Sequence, residues 1–120
     1  LAGPMQALFT VVLGFGILLP LAAVEEISTR GYLMLTLGRS WGRWPAALLS
    51  CAVFALLHGA NPAIGDHPLA MAGLVAAGFY LVSAYLITDN LWLPIFLHTG
   101  WNLMEGPVFG LPVSGMPVPF

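Results

Sequence analysis

The stretch of residues 68–88, PLAMAGLVAAGFYLVSAYLIT, carries no charge from its first residue to its last. About 20 apolar residues is the length that crosses a lipid bilayer as an α-helix. In lipid every backbone polar group must be satisfied within the protein, so a helix is the default structure for such a segment. Several of its residues are small, which suits close helix packing in lipid: Ala70, Ala72, Gly73, Ala76, Ala77 and Gly78. The stretch therefore predicts a transmembrane helix.

The composition indicates lipid surroundings for the rest of the chain as well. Only 7% of the residues are Asp, Glu, Lys or Arg, against roughly a quarter in an ordinary soluble domain. The hydrophobic fraction is 59% and the mean hydropathy is +0.93, so too few polar residues remain to cover a water-facing surface. The net charge of -2 leaves no basic face, and we expect no nucleic-acid partner. The lone Cys51 cannot form an internal disulfide and is expected in the core.

Three further apolar stretches cover residues 5–24, 44–57 and 91–104. The break LGRSWGRWP, residues 37–45, contains glycines and a proline and favours a turn. The stretches 44–57 and 91–104 are short for independent spans, so we expect neighbouring helices to shield them from lipid. The sequence predicts an all-α, polytopic membrane helical bundle of about four helical segments, a multi-pass protein of the cell membrane. We interpret residues 1–120 as a single membrane-embedded core within a longer chain.

A cluster of charge stands out in this apolar setting, the motif VEEISTRGY at residues 24–32. If residues 18–38 form one helix, Glu26 and Arg30 are four positions apart and pair on one face. Glu25 lies five positions before Arg30, roughly 140° around the helix, and therefore points elsewhere. We expect the two glutamates to meet different environments, which is how acid and base roles are separated. The alternative is an interfacial helix that carries a charge pair.

The remaining polar residues of interest are His58 in FALLHGANP and the pair His98 and Asn102 in HTGWN. His98 and Asn102 are four positions apart and share a helix face, which should point to the protein interior because intramembrane polar groups are costly. The alternatives are a capping or packing role for His58 and an interhelical hydrogen bond for His98 and Asn102. Glu105 continues the same face, but its position beside Gly106 favours a simple helix-end charge.

The spacing around the break at residues 37–45 predicts which of these residues meet. Glu25 lies 16 residues before Trp41 and His58 lies 17 after it. If the break closes a helical hairpin, a rise of about 1.5 Å per residue brings Glu25 and His58 to nearly the same depth. His98 lies only eight residues past Asn90, which leaves a gap of order 10 Å that tilt would have to close. The pairing of Glu25 with His58 is the firmer prediction.

Together these motifs resemble a known family. EEISTR is similar to the motif EExxxR, FALLH to FxxxH and HTGWN to HxxxN of the CPBP intramembrane proteases, the CAAX prenyl endopeptidase and bacteriocin-processing (Abi) proteins. All three occur in order between residues 25 and 102. The segments LWLPIFLHTGWN and GPVFGLPVSG resemble the bacterial branch. A bacterial member is expected to cut a membrane-associated peptide or protein other than a prenylated CAAX tail.

The resemblance implies peptide-bond hydrolysis inside the membrane by a glutamate-type mechanism. Glu25 with His58 would activate a water molecule as general base. His98 and Asn102 would donate hydrogen bonds to the tetrahedral oxyanion, each worth about 3 kcal/mol. The expected partners are membrane lipid and a membrane-associated substrate.

Two further residues, Glu26 and Arg30, would organise the site according to the same resemblance. An older metalloprotease label of the family raises the question of zinc, for which Glu25, His58 and His98 would form a His₂Glu ligand set. The motif HExxH is absent, and we expect no cofactor. Two other functions remain open from the residues alone: an intramembrane carrier or proton relay, and a non-catalytic membrane scaffold of the same fold.

Overall fold

The computed structural model describes residues 3–61, 64 and 67–114, and the regular elements within these ranges are helices. Residues 115–120, which include the last residue of the GPVFGLPVSG segment, lie outside the described residues. In chain order the elements are α1 (Pro4–Glu26), a π-helical segment (Ile27–Met34), α2 (Leu35–Trp41), α3 (Arg43–Gly59), α4 (Pro68–Thr88), α5 (Trp92–Leu103) and a π-helical turn (Met104–Val108). The predicted all-α membrane bundle with four helical segments is confirmed, because α1, the π-helical segment and α2 form one continuous helix.

Two of the helical runs are long and apolar enough to cross a membrane, Pro4–Trp41 and Pro68–Thr88. Large apolar side chains stand on their outer faces, including Phe9, Leu69 and Ile87, the last two more than 80% exposed. Such contiguous apolar surface is disfavoured in water and suits contact with lipid tails. The predicted helix at residues 68–88 coincides with α4, and α3 and α5 extend within two residues of their predicted bounds.

The predicted hairpin forms at Gly42, where α2 ends and α3 begins. Its φ of +87° is a conformation that side-chain-bearing residues avoid, so glycine allows the chain to reverse within one residue. Behind this turn a small core joins α3 and α4 to the π-helical segment: Met34, Ala46, Ala47, Cys51, Val82 and Tyr85. The expectation that Cys51 is a core residue is therefore confirmed.

Over Ile27–Met34 the helix widens from the α to the π hydrogen-bonding pattern. The prediction of one regular helix over residues 18–38 did not include this change. A π-helical bond joins residues five positions apart and leaves some carbonyls without their usual partner. Hydroxyl groups satisfy them: Ser28 Oγ donates to the Val24 carbonyl at 2.7 Å and Thr29 Oγ1 to the Glu25 carbonyl at 2.6 Å. The EEISTR motif thus contains the donors that stabilise the widened turn.

Helix α5 begins part-way along the bundle and not at the level of the Gly42 hairpin. Leu91, just before α5, packs on Gly31, where an added Cβ would lie 3.0 Å from Leu91 Cδ1. From these two contacting residues, helix rise places Glu26 about 7.5 Å and His98 about 10.5 Å further along, a difference of about 3 Å that side chains can span. His98 Nδ1 lies 3.0 Å from Glu26 Oε1, so the predicted gap of order 10 Å is absent. The position at which α5 begins removes it, which the tilt argument did not foresee.

Close contact between α1 and the π-helical turn holds α5 against the first helix. A Cβ added to Gly14 would lie 2.5 Å from Pro107 Cγ, whereas nothing lies within 4 Å of one added to Gly16. We expect Gly14→Val to lower the free energy of unfolding by about 1–3 kcal/mol through overpacking. Gly16→Val is the matched control, since it makes the same change two positions along the same helix. Thermal unfolding in detergent measures both, and equal midpoints would contradict the contact.

Candidate active site

Side chains from three helices meet at one point within the bundle. Glu25 comes from the end of α1, His58 from the last turn of α3 and His98 from the middle of α5. Glu25 Oε2 lies 3.5 Å from His58 Nε2 and 3.8 Å from His98 Nε2. The structure thus brings together Glu25 and His58, as the equal-depth argument predicted, and adds His98 to them.

Beside this point lies a fully buried ion pair between Glu26 and Arg30. Arg30 Nη1 donates to Glu26 Oε1 at 3.2 Å and to Thr29 Oγ1 at 2.7 Å, and Nη2 donates to the Gly78 carbonyl at 3.3 Å. The guanidinium also lies 4.6 Å from the ring centroid of Phe54, in cation–π contact. Arg30 therefore links the α1 end of the site to α3 and α4. The predicted pairing of Glu26 with Arg30 on one face is present.

The hydrogen bonds of the two histidines define which ring nitrogen carries a proton. His58 Nδ1 lies 2.9 Å from the Phe54 carbonyl, which can only accept, so Nδ1 is the donor. His98 Nδ1 lies 3.0 Å from Glu26 Oε1, an oxygen that already accepts from Arg30, so this Nδ1 is a donor as well. In each neutral ring the free lone pair is therefore on Nε2. Both Nε2 atoms lie next to Glu25 Oε2.

Glu25 is the less buried of the two glutamates, with 40% of its side chain exposed. Among the described residues no group hydrogen-bonds to Glu25 Oε2, although this atom is itself buried. Glu25 Oε2 and His58 Nε2 thus face each other as acceptors, with His98 Nε2 beside them. A water molecule placed there would supply two O–H groups to such acceptors.

The same three atoms are chemically suited to a metal, since imidazole nitrogens and a carboxylate are zinc ligands. Their outer partners, the Phe54 carbonyl and the Glu26 carboxylate, are also of the kind that orient metal-binding histidines. However, no three His, Cys, Asp or Glu residues in the described part of the chain are placed so that they could hold a metal ion. The expectation that no metal is used stays a prediction.

A cavity of ≈ 1420 Å³ opens next to these residues, between α4 and α5. Its polar lining includes His58, His98, Asn102 and Glu105, and most of the remaining wall is apolar. Asn102 is 8% exposed and lies one helical turn beyond His98 on the same face, as the sequence predicted. The site thus adjoins a space that is large enough for an extended peptide segment.

Residues 5–104 match the family model described as type II CAAX prenyl endopeptidase, Rce1-like. The chain belongs to the Rce1-like family. No curated protein and no solved structure matches the chain. The proteins of the Rce1-like family are embedded in the membrane. Membership of this family supports a function of the CAAX-type intramembrane protease class. The resemblance to the CPBP proteases is confirmed, and the bacterial branch stays a prediction.

Within the region matched to the Rce1-like family, the structure adds supporting residues that the sequence reading did not single out. Phe54 contacts Arg30 and both histidine rings, with centroids 4.4 Å from His58 and 5.6 Å from His98. Ser50 donates to the Thr29 carbonyl at 3.0 Å and so ties α3 to the π-helical segment. Phe54 is the first residue of the FxxxH pattern, so the motif already pointed to it. Ser50 lies outside all three motifs, and nothing in the sequence indicated its role.

Proposed function

We propose that this protein is an intramembrane endopeptidase that hydrolyses peptide bonds of membrane-associated proteins or peptides with a water activated by Glu25. The observation that carries the proposal is the convergence of Glu25 Oε2 and the Nε2 atoms of His58 and His98 on one space. Membership of the Rce1-like family supports the protease class. A multi-pass location in the cell membrane, in contact with lipid, belongs to the same proposal.

In the first step the water donates one hydrogen bond to the Glu25 carboxylate and a second to the lone pair of His58 Nε2, which orients it. Its oxygen attacks the carbonyl carbon of the scissile bond, and the proton passes to Glu25 as the C–O bond forms. The tetrahedral intermediate then collapses with cleavage of the C–N bond. Glu25 returns the proton to the leaving nitrogen, so the carboxylate is regenerated and one water has been added.

The carbonyl oxygen becomes an oxyanion during the attack, and Asn102 and His98 are the donors on its side of the cavity. Asn102 donates from its side-chain amide. Because His98 Nδ1 donates to Glu26, its Nε2 donates to the oxyanion only when the ring carries both protons. The Glu26 carboxylate, which accepts from Nδ1, faces that positive charge, whereas Glu25 holds the proton of the water at this stage. The role that the resemblance implied for His98 therefore depends on Glu26.

We expect His98→Gln to retain cleavage, at a rate lowered by less than the roughly 10²–10³-fold that loss of one oxyanion donor costs, because glutamine keeps a donor at this position. A quenched fluorescent peptide with an apolar sequence, assayed with the purified protein in detergent, measures the rate. Elemental analysis of the same wild-type preparation should find no stoichiometric zinc. His67→Gln is the matched control, since His67 is exposed at the start of α4 and outside the site.

Two outcomes would contradict this mechanism. One equivalent of zinc that disappears together with activity in His98→Gln would identify Glu25, His58 and His98 as ligands, since each is required to hold the metal. Uptake of a solute or of protons into vesicles, with no peptide cleaved, would instead identify a carrier.

A further inference from the structure

Glu105 is a second carboxylate in the cavity, and the proposed reaction leaves it unused. It lies in the π-helical turn, three residues beyond Asn102 and seven beyond His98, and it lines the same space. The contact between Pro107 and Gly14 fixes this turn on α1. Glu105 is half-buried in this turn at the end of α5.

The carboxyl group of Glu105 lacks a partner within the described part of the chain. None of the ion pairs or side-chain hydrogen bonds there includes it. Glu105 is half-buried beside a mostly apolar cavity wall, and such surroundings disfavour an isolated charge. A carboxylate in an apolar cavity is stabilised when a cation pairs with it.

The sequence contains three basic residues that could be that cation, and all are engaged or located elsewhere. Arg30 is buried against Glu26, and Arg43 pairs with Asp89 at 3.0 Å. Arg39 lies beside Arg43 near the Gly42 hairpin, on a separate surface pocket. The described residues that line the cavity include no Lys or Arg, and Glu105 is their one acidic side chain. No Lys or Arg of this chain is therefore placed to pair with Glu105.

We propose that Glu105 is a specificity-determining residue that binds a basic side chain of the substrate peptide. This inference rests on the proposed protease function. Seven residues of helix separate Glu105 from His98 by about 10 Å along the axis. An extended peptide covers that distance in about three residues. The substrate class is thus an apolar, membrane-associated segment with a Lys or Arg about three residues from the scissile bond.

The test measures peptide binding to the Glu25→Gln protein, so that cleavage does not interfere. Two probes share one apolar sequence and carry either lysine or norleucine at the central position, in a nonionic detergent. We expect the lysine peptide to bind about tenfold more tightly, which corresponds to 1.4 kcal/mol. Adding Glu105→Gln should reduce the ratio of the two Kd values to about one, and adding Glu105→Arg should make a glutamate probe the preferred one. Asp89→Asn is the control, because it removes an exposed carboxylate near the Gly42 hairpin and away from the cavity.

Equal binding of the lysine and norleucine probes, or a lysine preference that survives Glu105→Gln, would overturn the inference. In a second set of peptides, one lysine is moved stepwise along the same sequence. Mass spectrometry of the products that the wild-type protein releases then shows at which distance from the scissile bond a lysine favours cleavage. Cleavage of all of them at equal rates rejects the role of Glu105 and leaves the protease function intact. If no peptide is cut while the lysine preference in binding is present, the protease function fails and the binding role of Glu105 stands.

Discussion

Glu25→Gln should lower kcat by about 10²–10⁴-fold, the range that a general base contributes. The amide keeps the size and shape of the side chain but cannot accept the proton of the attacking water. Folding should be unaffected, because Glu25 is 40% exposed and its Oε2 has no hydrogen-bond partner among the described residues. The quenched peptide assay measures the rate, and the thermal midpoint in detergent reports the fold.

Glu25→Asp is the informative companion, since it keeps the base but withdraws it from the two Nε2 atoms. We expect a rate between those of wild type and Glu25→Gln, because general base catalysis needs hydrogen-bond reach as well as a carboxylate. More than a tenth of the wild-type rate in a well-folded Glu25→Gln protein would exclude Glu25 as the base.

The parts of the fold that could be predicted are those that depend on local sequence. Helix α4 follows from the uncharged run at residues 68–88, and the pairing of Glu26 with Arg30 follows from their spacing. The depth at which α5 begins could not be predicted, because it is fixed by the packing of Leu91 on Gly31, a tertiary contact. The helical period is a property of neighbouring residues, whereas the path of a turn depends on what it packs against.

The same distinction applies to the candidate site. Equal distance from the hairpin was enough to predict that Glu25 meets His58. The bond between His98 Nδ1 and Glu26 Oε1 joins residues 72 positions apart and had no local signal. The π-helical segment also escaped prediction, although the hydroxyls of Ser28 and Thr29 that satisfy its carbonyls are visible in the motif. The sequence therefore predicted Arg30 as a partner of Glu26 but not His98.

Glu26 is bonded to both Arg30 and His98. Glu26→Ala should therefore lower the free energy of unfolding by about 3–5 kcal/mol, the cost of removing one member of a buried ion pair. Glu26 and Arg30 are both fully buried, so the variant leaves the guanidinium without its counter-charge and without access to water. His98 Nδ1 loses its acceptor at the same time. Glu25→Ala is the matched control one position away, for which we expect a change within about 0.5 kcal/mol because that carboxylate is partly exposed.

Unfolding in mixtures of SDS and a nonionic detergent measures both variants against wild type. If the loss in Glu26→Ala comes from the stranded guanidinium, then Arg30→Met in the same protein should restore part of the stability, because it removes the unpaired charge and keeps an apolar stem over Phe54. A double variant less stable than Glu26→Ala would show that Arg30 stabilises the fold through Thr29 and Gly78 independently of Glu26. Equal losses in Glu26→Ala and Glu25→Ala would contradict the ion pair as the structural centre of the site.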